Sequence, residues 1–189
     1  MALKCNKCYF TFGRFQPPTT GHRDNFKGVA RTAGGEDYRI YISQTHDTKG
    51  KNPLPPDRKL FWMNKMFPEH KGNIHSGPRE PVAIMQDLMM AGYDEVFFLV
   101  GSDRVQAMQF LHRYNGNDKD FSFRKLEIMS SGARDADGDT FAVSGTKMRR
   151  AAFAGDFKTF RAGIPTALST PDAMNLMKEI KENLPSNYK

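Results

Sequence analysis

The run Glu95-Val96-Phe97-Phe98-Leu99-Val100, followed directly by Gly101-Ser102-Asp103, decides the fold class of this chain. Its five successive apolar residues, Val96 to Val100, leave no polar face. It therefore reads as a strand covered on both sides, as in a parallel sheet. Helical patterns flank it, at residues 82–91, stopped by Gly92, and at residues 104–114. The alternation continues outward. Toward the N-terminus, residues 8–12 (CYFTF) and 38–43 (YRIYIS, with period two) read as strands. Residues 21–33, closed by Gly34 and Gly35, and residues 57–67 read as helices, the second with Leu60, Met63 and Phe67 on one face. A short strand is expected near Ile74. Toward the C-terminus, residues 125–129 form a fifth strand, and residues 145–154 form a helix stopped by Gly155. A last helix starts with Thr170 as cap and Pro171 at its first position. Five strands alternating with helices predict an α/β fold: a mainly parallel five-stranded sheet with helices on both faces. Such sheets bind ligands at the carboxyl ends of their strands, near the point where strand order reverses.

The 189 residues fit one domain with a small terminal elaboration: residues 1–165, with a C-terminal helix at 166–189 packed on them. A hydrophobic content of 39% supports a packed core, and 26% charged residues without a long polar tract exclude intrinsic disorder. The longest strongly apolar run is far too short for a membrane span, and residues 1–12 lack the apolar centre of a secretory signal. The expectation is a soluble, cytoplasmic protein without membrane contact. The net charge of +7 favours anionic partners, such as nucleotides or phosphorylated metabolites. No block of five like charges occurs, which argues against a nucleic-acid tail. Cys5 and Cys8 are too few for a structural zinc site, and His22, His46, His70, His75 and His112 contain no ligand pair at helical spacing. Asp135-x-Asp137-Gly138-Asp139 fails as a calcium loop, because its glycine comes two positions early and position twelve is Thr146.

Three motifs sit at strand ends. After the first strand comes Gly13-Arg14-Phe15-Gln16-Pro17-Pro18-Thr19-Thr20-Gly21-His22. Gly13 permits a tight turn, the prolines stiffen the loop, and Gly21 lets a phosphate approach the start of a helix. His22 lies in that helix's first turn, where amide donors and the dipole already favour an anion. An ordinary strand-to-helix turn with a capping histidine uses the same residues. After the fifth strand comes Val143-Ser144-Gly145-Thr146-Lys147-Met148-Arg149-Arg150, which opens a helix. Alone, it fits a capped helix start with a solvated arginine. After the fourth strand, Gly101 and Asp103 suit either a pocket or a helix cap. Lys51-Asn52-Pro53-Leu54 followed by Arg58 forms a basic loop. Arg58 opposes the dipole of the helix it starts, and so is better motivated as a phosphate group than Lys49 or Lys51.

The first motif resembles the Gly-x-Phe-x-Pro-x-x-x-Gly-His signature of the nucleotidyltransferases that carry (His/Thr)-x-Gly-His on a Rossmann-like fold. Its wording, Gly-Arg-Phe-Gln-Pro, is most similar to archaeal-type and Nudix-fused nicotinamide mononucleotide adenylyltransferases. The second resembles their Ile-Ser-Ser-Thr-x-x-Arg signature, and 51–58 resembles their Asn-Pro-Phe-Thr…Arg stretch. The resemblance covers residues 13–164 in motif order. Thr19 stands where the nicotinamide enzymes have their first histidine, as in phosphopantetheine adenylyltransferases, and Gly145 replaces a serine.

The resemblance implies a doubly wound sheet and transfer of a nucleoside monophosphate, AMP from ATP, to a phosphate-bearing acceptor with release of pyrophosphate. Nicotinamide mononucleotide is the best-matching acceptor. A cytidylyltransferase, a phosphopantetheine-type enzyme, and a nucleotide-binding protein without turnover are the alternatives. It further implies His22, Thr19 and Arg149 as catalytic groups. Nucleotide binding falls to Gly13, Arg14, Phe15, Gln16, Gly21, His22, Ser144, Gly145, Thr146 and Arg149, and acceptor binding to Asn52, Arg58, Gly101 and Asp103. Magnesium would be held through the triphosphate, with no protein metal ligands. A homo-oligomer is compatible with the sequence.

Overall fold

The computed structural model describes residues 6–116, 119–132 and 143–188. Strand β1 (Lys7–Gly13) lies at the centre of the sheet, paired in parallel with β2 (Asp37–Ile42) on one side and β4 (Glu95–Val100) on the other. β3 (Ile74–Ser76) adds to β2, and β5 (Lys125–Ser130) adds to β4, again in parallel. The order β3-β2-β1-β4-β5 reverses direction between β1 and β4. The sheet is thus doubly wound, and it is wholly parallel rather than mainly so.

The helices are α1 (Thr20–Ala33), α2 (Pro56–Met66), α3 (Pro81–Met90), α4 (Val105–Met108), α5 (Gly145–Ala154), α6 (Phe157–Ala162) and α7 (Thr170–Glu182). Successive side chains of a strand face opposite sides, and both sides are buried here. Cys8, Phe10, Val96 and Phe98 pack with Ile84, Met85 and Leu88 of α3. Ile40 and Ile42 pack on the other side with Phe26 of α1, Trp62 and Met63 of α2, and Leu176 and Ile180 of α7. The unbroken apolar run of β4 follows from this double cover: Val96, Phe98 and Val100 serve one layer, and Phe97 and Leu99 meet Val29 of α1 on the other. Phe10 and Phe98 stack at 4.4 Å, which registers β1 against β4. Each such fully buried side chain stabilises the fold by about 1.5–3 kcal/mol relative to exposure.

Three local expectations are corrected. Residues 104–114 do not form one helix. They split into the four-residue α4 and a 3₁₀ segment, Gln109–Tyr114, in which Leu111 alone is fully buried. So little apolar burial does not hold a long helix, and Asn115 draws the chain away by exchanging two hydrogen bonds with the backbone of Phe123. The last helix is capped by Ser169, whose Oγ accepts from the Asp172 amide at 3.2 Å; Thr170 and Pro171 are its first two residues. On α2, Met63 and the following Phe67 are buried as expected, but Leu60 is only partly buried, and Lys59, Trp62 and Met66 widen the buried face. Gly34 and Gly155 end their helices in left-handed conformations, as expected. Cys5 and the 135–139 acidic stretch lie outside the described residues. No helix among the described residues is long and apolar enough to cross a membrane.

Candidate active site

At the reversal between β1 and β4 opens a cleft of about 510 Å³. Its walls are the carboxyl ends of both strands, the segment joining β1 to α1, and the amino end of α5. Arg14, Lys51, Arg104 and Arg149 line it together with His22, and none of the described lining residues is a carboxylate. Four cations lining one cleft favour a multiply charged anion.

His22 is held in one tautomer by its own helix. The backbone N–H of Thr19 donates to His22 Nδ1 at 3.0 Å, and the Thr19 hydroxyl lies 3.0 Å from the same nitrogen. An amide can only donate, so Nδ1 is the acceptor and the proton of the neutral ring sits on Nε2. The imidazole is also fixed edge-on to Phe15, at 4.9 Å between centroids. Thr19 is fully buried and is not part of the cleft lining, and it contacts the lining residue His22. Gly21 is likewise absent from the lining, while Gly13, Arg14, Phe15 and Gln16 belong to it.

The role of Gly13 is spatial rather than a turn. It remains within β1, and a Cβ there would sit 2.6 Å from the Phe15 ring, which folds back over it at φ 48°. Gly145 is explained the same way. A Cβ would lie 2.9 Å from the Gln16 carbonyl oxygen, so only glycine lets α5 approach the β1–α1 segment this closely. Across that contact Arg149 donates from Nη1 to the Gln16 carbonyl at 2.7 Å, from Nη2 to Thr146 Oγ1 at 3.1 Å, and from Nε to the Tyr188 hydroxyl at 3.0 Å. Three of the five guanidinium N–H groups thus orient the side chain at the cleft wall. Ser144 is the N-cap of α5, accepting from the Lys147 amide at 3.1 Å, and does not line the cleft; Gly145 and Thr146 do.

The expected acceptor residues divide. Gly101 lies in the cleft, but Asp103 is exposed on the turn beyond it, and Arg104 takes the lining position instead. Asn52 is buried within its loop, bonded to Asp47 and Thr45, and the neighbouring Lys51 reaches the cleft. Burial of Asp47 works to raise its carboxyl pKa, but donors from Asn52 and from the Lys49 and Lys51 amides outweigh it and hold the group below the ordinary value. Arg58 is not brought to the cleft. It makes a two-pronged ion pair with Glu179 of α7, both contacts at 2.9 Å, and lies over the Phe61 ring. The unfavourable helix dipole is offset by this partner, 121 residues away. Trp62 is buried and donates to the same carboxylate, so neither it nor Arg58 presents itself to a ligand.

Gln16 stitches two loops. Its side-chain amide exchanges hydrogen bonds with the backbone of Leu54, at 2.9 and 3.0 Å, and donates to the Thr45 carbonyl. Beneath these loops lies a group the sequence reading missed, Lys59, which is fully buried. Its Nζ donates to the Arg14 carbonyl at 2.9 Å, to the Ser43 carbonyl, and to Ser43 Oγ at 3.3 Å. Burial, aided by the nearby Arg14 charge, pushes its pKa down to about 8. The available signal was a lysine at helical spacing with Trp62, Met63 and Met66. Asn25 also lines the cleft, and its Oδ1 is buried without a hydrogen-bond partner.

No family model and no curated protein matches the sequence. Solved structures do match in fold. A protein from Vibrio parahaemolyticus described as a nicotinate-nucleotide adenylyltransferase aligns with a TM-score of 0.55 at 13% identity, over 91% of this chain and 98% of its own. A bifunctional NMN adenylyltransferase/ADP ribose pyrophosphatase from Francisella tularensis gives 0.58 at 12% identity, over 94% of this chain and 50% of its own. The Plasmodium falciparum nicotinic acid mononucleotide adenylyltransferase, solved with NaAD, gives 0.51 at 14% identity, over 97% and 98%. The fold of this chain is therefore the Rossmann-like fold of these adenylyltransferases.

Proposed function

We propose that this chain is an adenylyltransferase that transfers AMP from ATP to nicotinamide mononucleotide, forming NAD and pyrophosphate. The observation that carries the reading is the cleft at the strand reversal in which His22, Arg14, Lys51, Arg104 and Arg149 converge, with no carboxylate among its described lining residues. The family signatures in the sequence and the adenylyltransferase fold support it independently.

In this reading an oxygen of the acceptor phosphate attacks the α-phosphorus. A new P–O bond forms, the bond to the β-phosphate oxygen breaks, and pyrophosphate leaves with the electron pair. The attacking oxygen is already ionised, so no general base is needed. The protein supplies position and charge. The Nε2 proton of His22, fixed there by the Thr19 amide, donates to a phosphate oxygen as charge accumulates. Arg149, with two N–H groups beyond its internal bonds, takes the departing phosphates. The amino end of α5 adds its amides and dipole. The described lining offers cations and amides for phosphate oxygens, which fits a triphosphate that arrives as its magnesium complex.

The test is pyrophosphate release from each of the four ribonucleoside triphosphates against nicotinamide mononucleotide, phosphopantetheine, choline phosphate and glycerol phosphate. Release with ATP and nicotinamide mononucleotide, with NAD as product, is expected. Release with CTP and choline phosphate, and none with ATP, would replace the nicotinamide assignment with a cytidylyltransferase.

A further inference from the structure

We infer that Lys59 is a positioning residue whose buried charge, bonded to the backbone of the cleft residue Arg14, is balanced by bound phosphate, so that polyanion binding and Lys59 protonation are coupled. This rests on the phosphate-binding reading of the cleft.

The geometry is unusual for a lysine. Lys59 is 0% exposed, and its three hydrogen-bond acceptors are neutral oxygens. No carboxylate among the described residues forms an ion pair with it. A buried ammonium ordinarily requires a counter-charge. Here the acceptors belong to Arg14, in the cleft wall, and to Ser43, at the end of β2. The ammonium therefore ties together the two segments that carry Arg14, Gln16 and Lys51. The charged form has three N–H donors for three oxygens; the neutral amine keeps two, for the Arg14 and Ser43 carbonyls, and holds the third contact only if the Ser43 hydroxyl turns to donate to its lone pair. Deprotonation thus exchanges a charge-assisted contact for a weaker one between the two segments that carry Arg14 and Lys51.

The charged and titratable groups on the surrounding elements are Arg14 on the β1–α1 segment, His22 in the first turn of α1, and His46, Asp47, Lys49 and Lys51 on the loop after β2. On its own helix they are Asp57, Arg58 and Lys65, the last two tied to Glu179 and Asp172 of α7. Of these, Arg14 acts on Lys59, and with the same sign. Phosphate bound against Arg14 cancels that repulsion and adds the opposite charge below it. The lysine, poised at about 8 in the free protein, then takes up a proton.

The experiment is calorimetric titration of wild type and Lys59→Met with magnesium–ATP, and in parallel with pyrophosphate, in two buffers of different ionisation enthalpy at pH 8.5. This pH lies above the ordinary imidazole range, and the phosphates of magnesium–ATP are already ionised; pyrophosphate is supplied as its magnesium complex, which removes its last proton. Wild type should take up about half a proton or more per ligand, and bind about tenfold more weakly at pH 9.5 than at pH 7. Lys59→Met should take up none and show a flat pH profile at reduced affinity. A purely structural lysine would weaken binding equally at every pH. No uptake by wild type with either ligand, or equal uptake by both proteins, overturns the assignment. Uptake with pyrophosphate but no binding of ATP leaves Lys59 in place and overturns the nucleotide reading. Absence of binding by either ligand overturns both. Should circular dichroism show Lys59→Met unfolded, Ser43→Ala removes one acceptor and keeps the lysine. The pH of half-maximal uptake should then fall, and an unchanged midpoint refutes the coupling.

Discussion

Replacing Arg149 with lysine keeps the charge and removes the geometry. The three internal bonds of Arg149 leave from three different nitrogens, toward Tyr188, Gln16 and Thr146. A single ammonium cannot occupy those three donor positions. At least one acceptor is lost, and the Gln16 carbonyl is the most exacting, at 2.7 Å across the Gly145 contact. Losing a charge-assisted bond of this kind costs about 1.5–3 kcal/mol. Part of that is stability. The rest falls on the reaction, because the β1–α1 segment drifts and the two remaining guanidinium N–H groups no longer meet the departing phosphates together. A loss of about 2.7 kcal/mol in transition-state binding corresponds to about 10²-fold in kcat/KM. Arg150 is exposed, lies about 100° around the helix, and does not line the cleft, so Arg150→Lys serves as control and should stay within about twofold. Steady-state pyrophosphate release would be measured on both variants, with thermal melting to confirm folding. Equal effects of the two substitutions, or an Arg149→Lys enzyme within about threefold of wild type, would refute the reasoning and leave only a generally basic helix.

His22→Ala should lower turnover by roughly 10²–10³-fold with a much smaller change in ATP affinity; unchanged turnover in a folded variant would mean that His22 only closes the first turn of α1. Gly145→Ser adds the hydroxyl of the signature that 143–149 resembles but drives a Cβ against the Gln16 carbonyl, so it should destabilise by about 1–3 kcal/mol and weaken ATP binding, and a melting curve identical to wild type would show that the helix yields freely. Arg58→Ala should lower thermal stability by about 1 kcal/mol, since the Glu179 pair is partly exposed, and should leave KM for the acceptor unchanged; a raised KM without loss of stability would return Arg58 to the substrate. Burial holds Lys59 at about 8 against an ordinary 10.5, so between those values the unfolded chain binds the extra proton. Stability of wild type relative to Lys59→Met should therefore rise from pH 8 to pH 10, and parallel melting temperatures across that range would contradict it.

The layer order and the place of the cleft were legible because they rest on local patterns. Val96 to Val100 has no polar face, and a strand without one must be covered on both sides. Gly34 and Gly155 mark helix ends because a left-handed residue is needed there. The first signature motif follows the end of β1 and the second opens α5, and a parallel sheet brings its strand ends, and the amino ends of the helices that follow them, to one side. What each side chain does within that frame depended on partners remote in the chain. Arg58 looked like a phosphate group because its own helix disfavours it, and Glu179 on α7 resolves that conflict away from the cleft. Asp103 and Arg104 are adjacent in sequence, and the turn after β4 alone determines which of them lines the cleft. Gly145 looked like a lost hydroxyl until the approach of α5 to Gln16 gave it a spatial reason. Lys59 carries no sequence motif, since nothing nearby shows that its charge would end beneath two loop carbonyls. Periodicity and turn chemistry act over a few residues and so can be read along the chain; burial, ion pairing and close approach are settled only when distant segments compete for the same space.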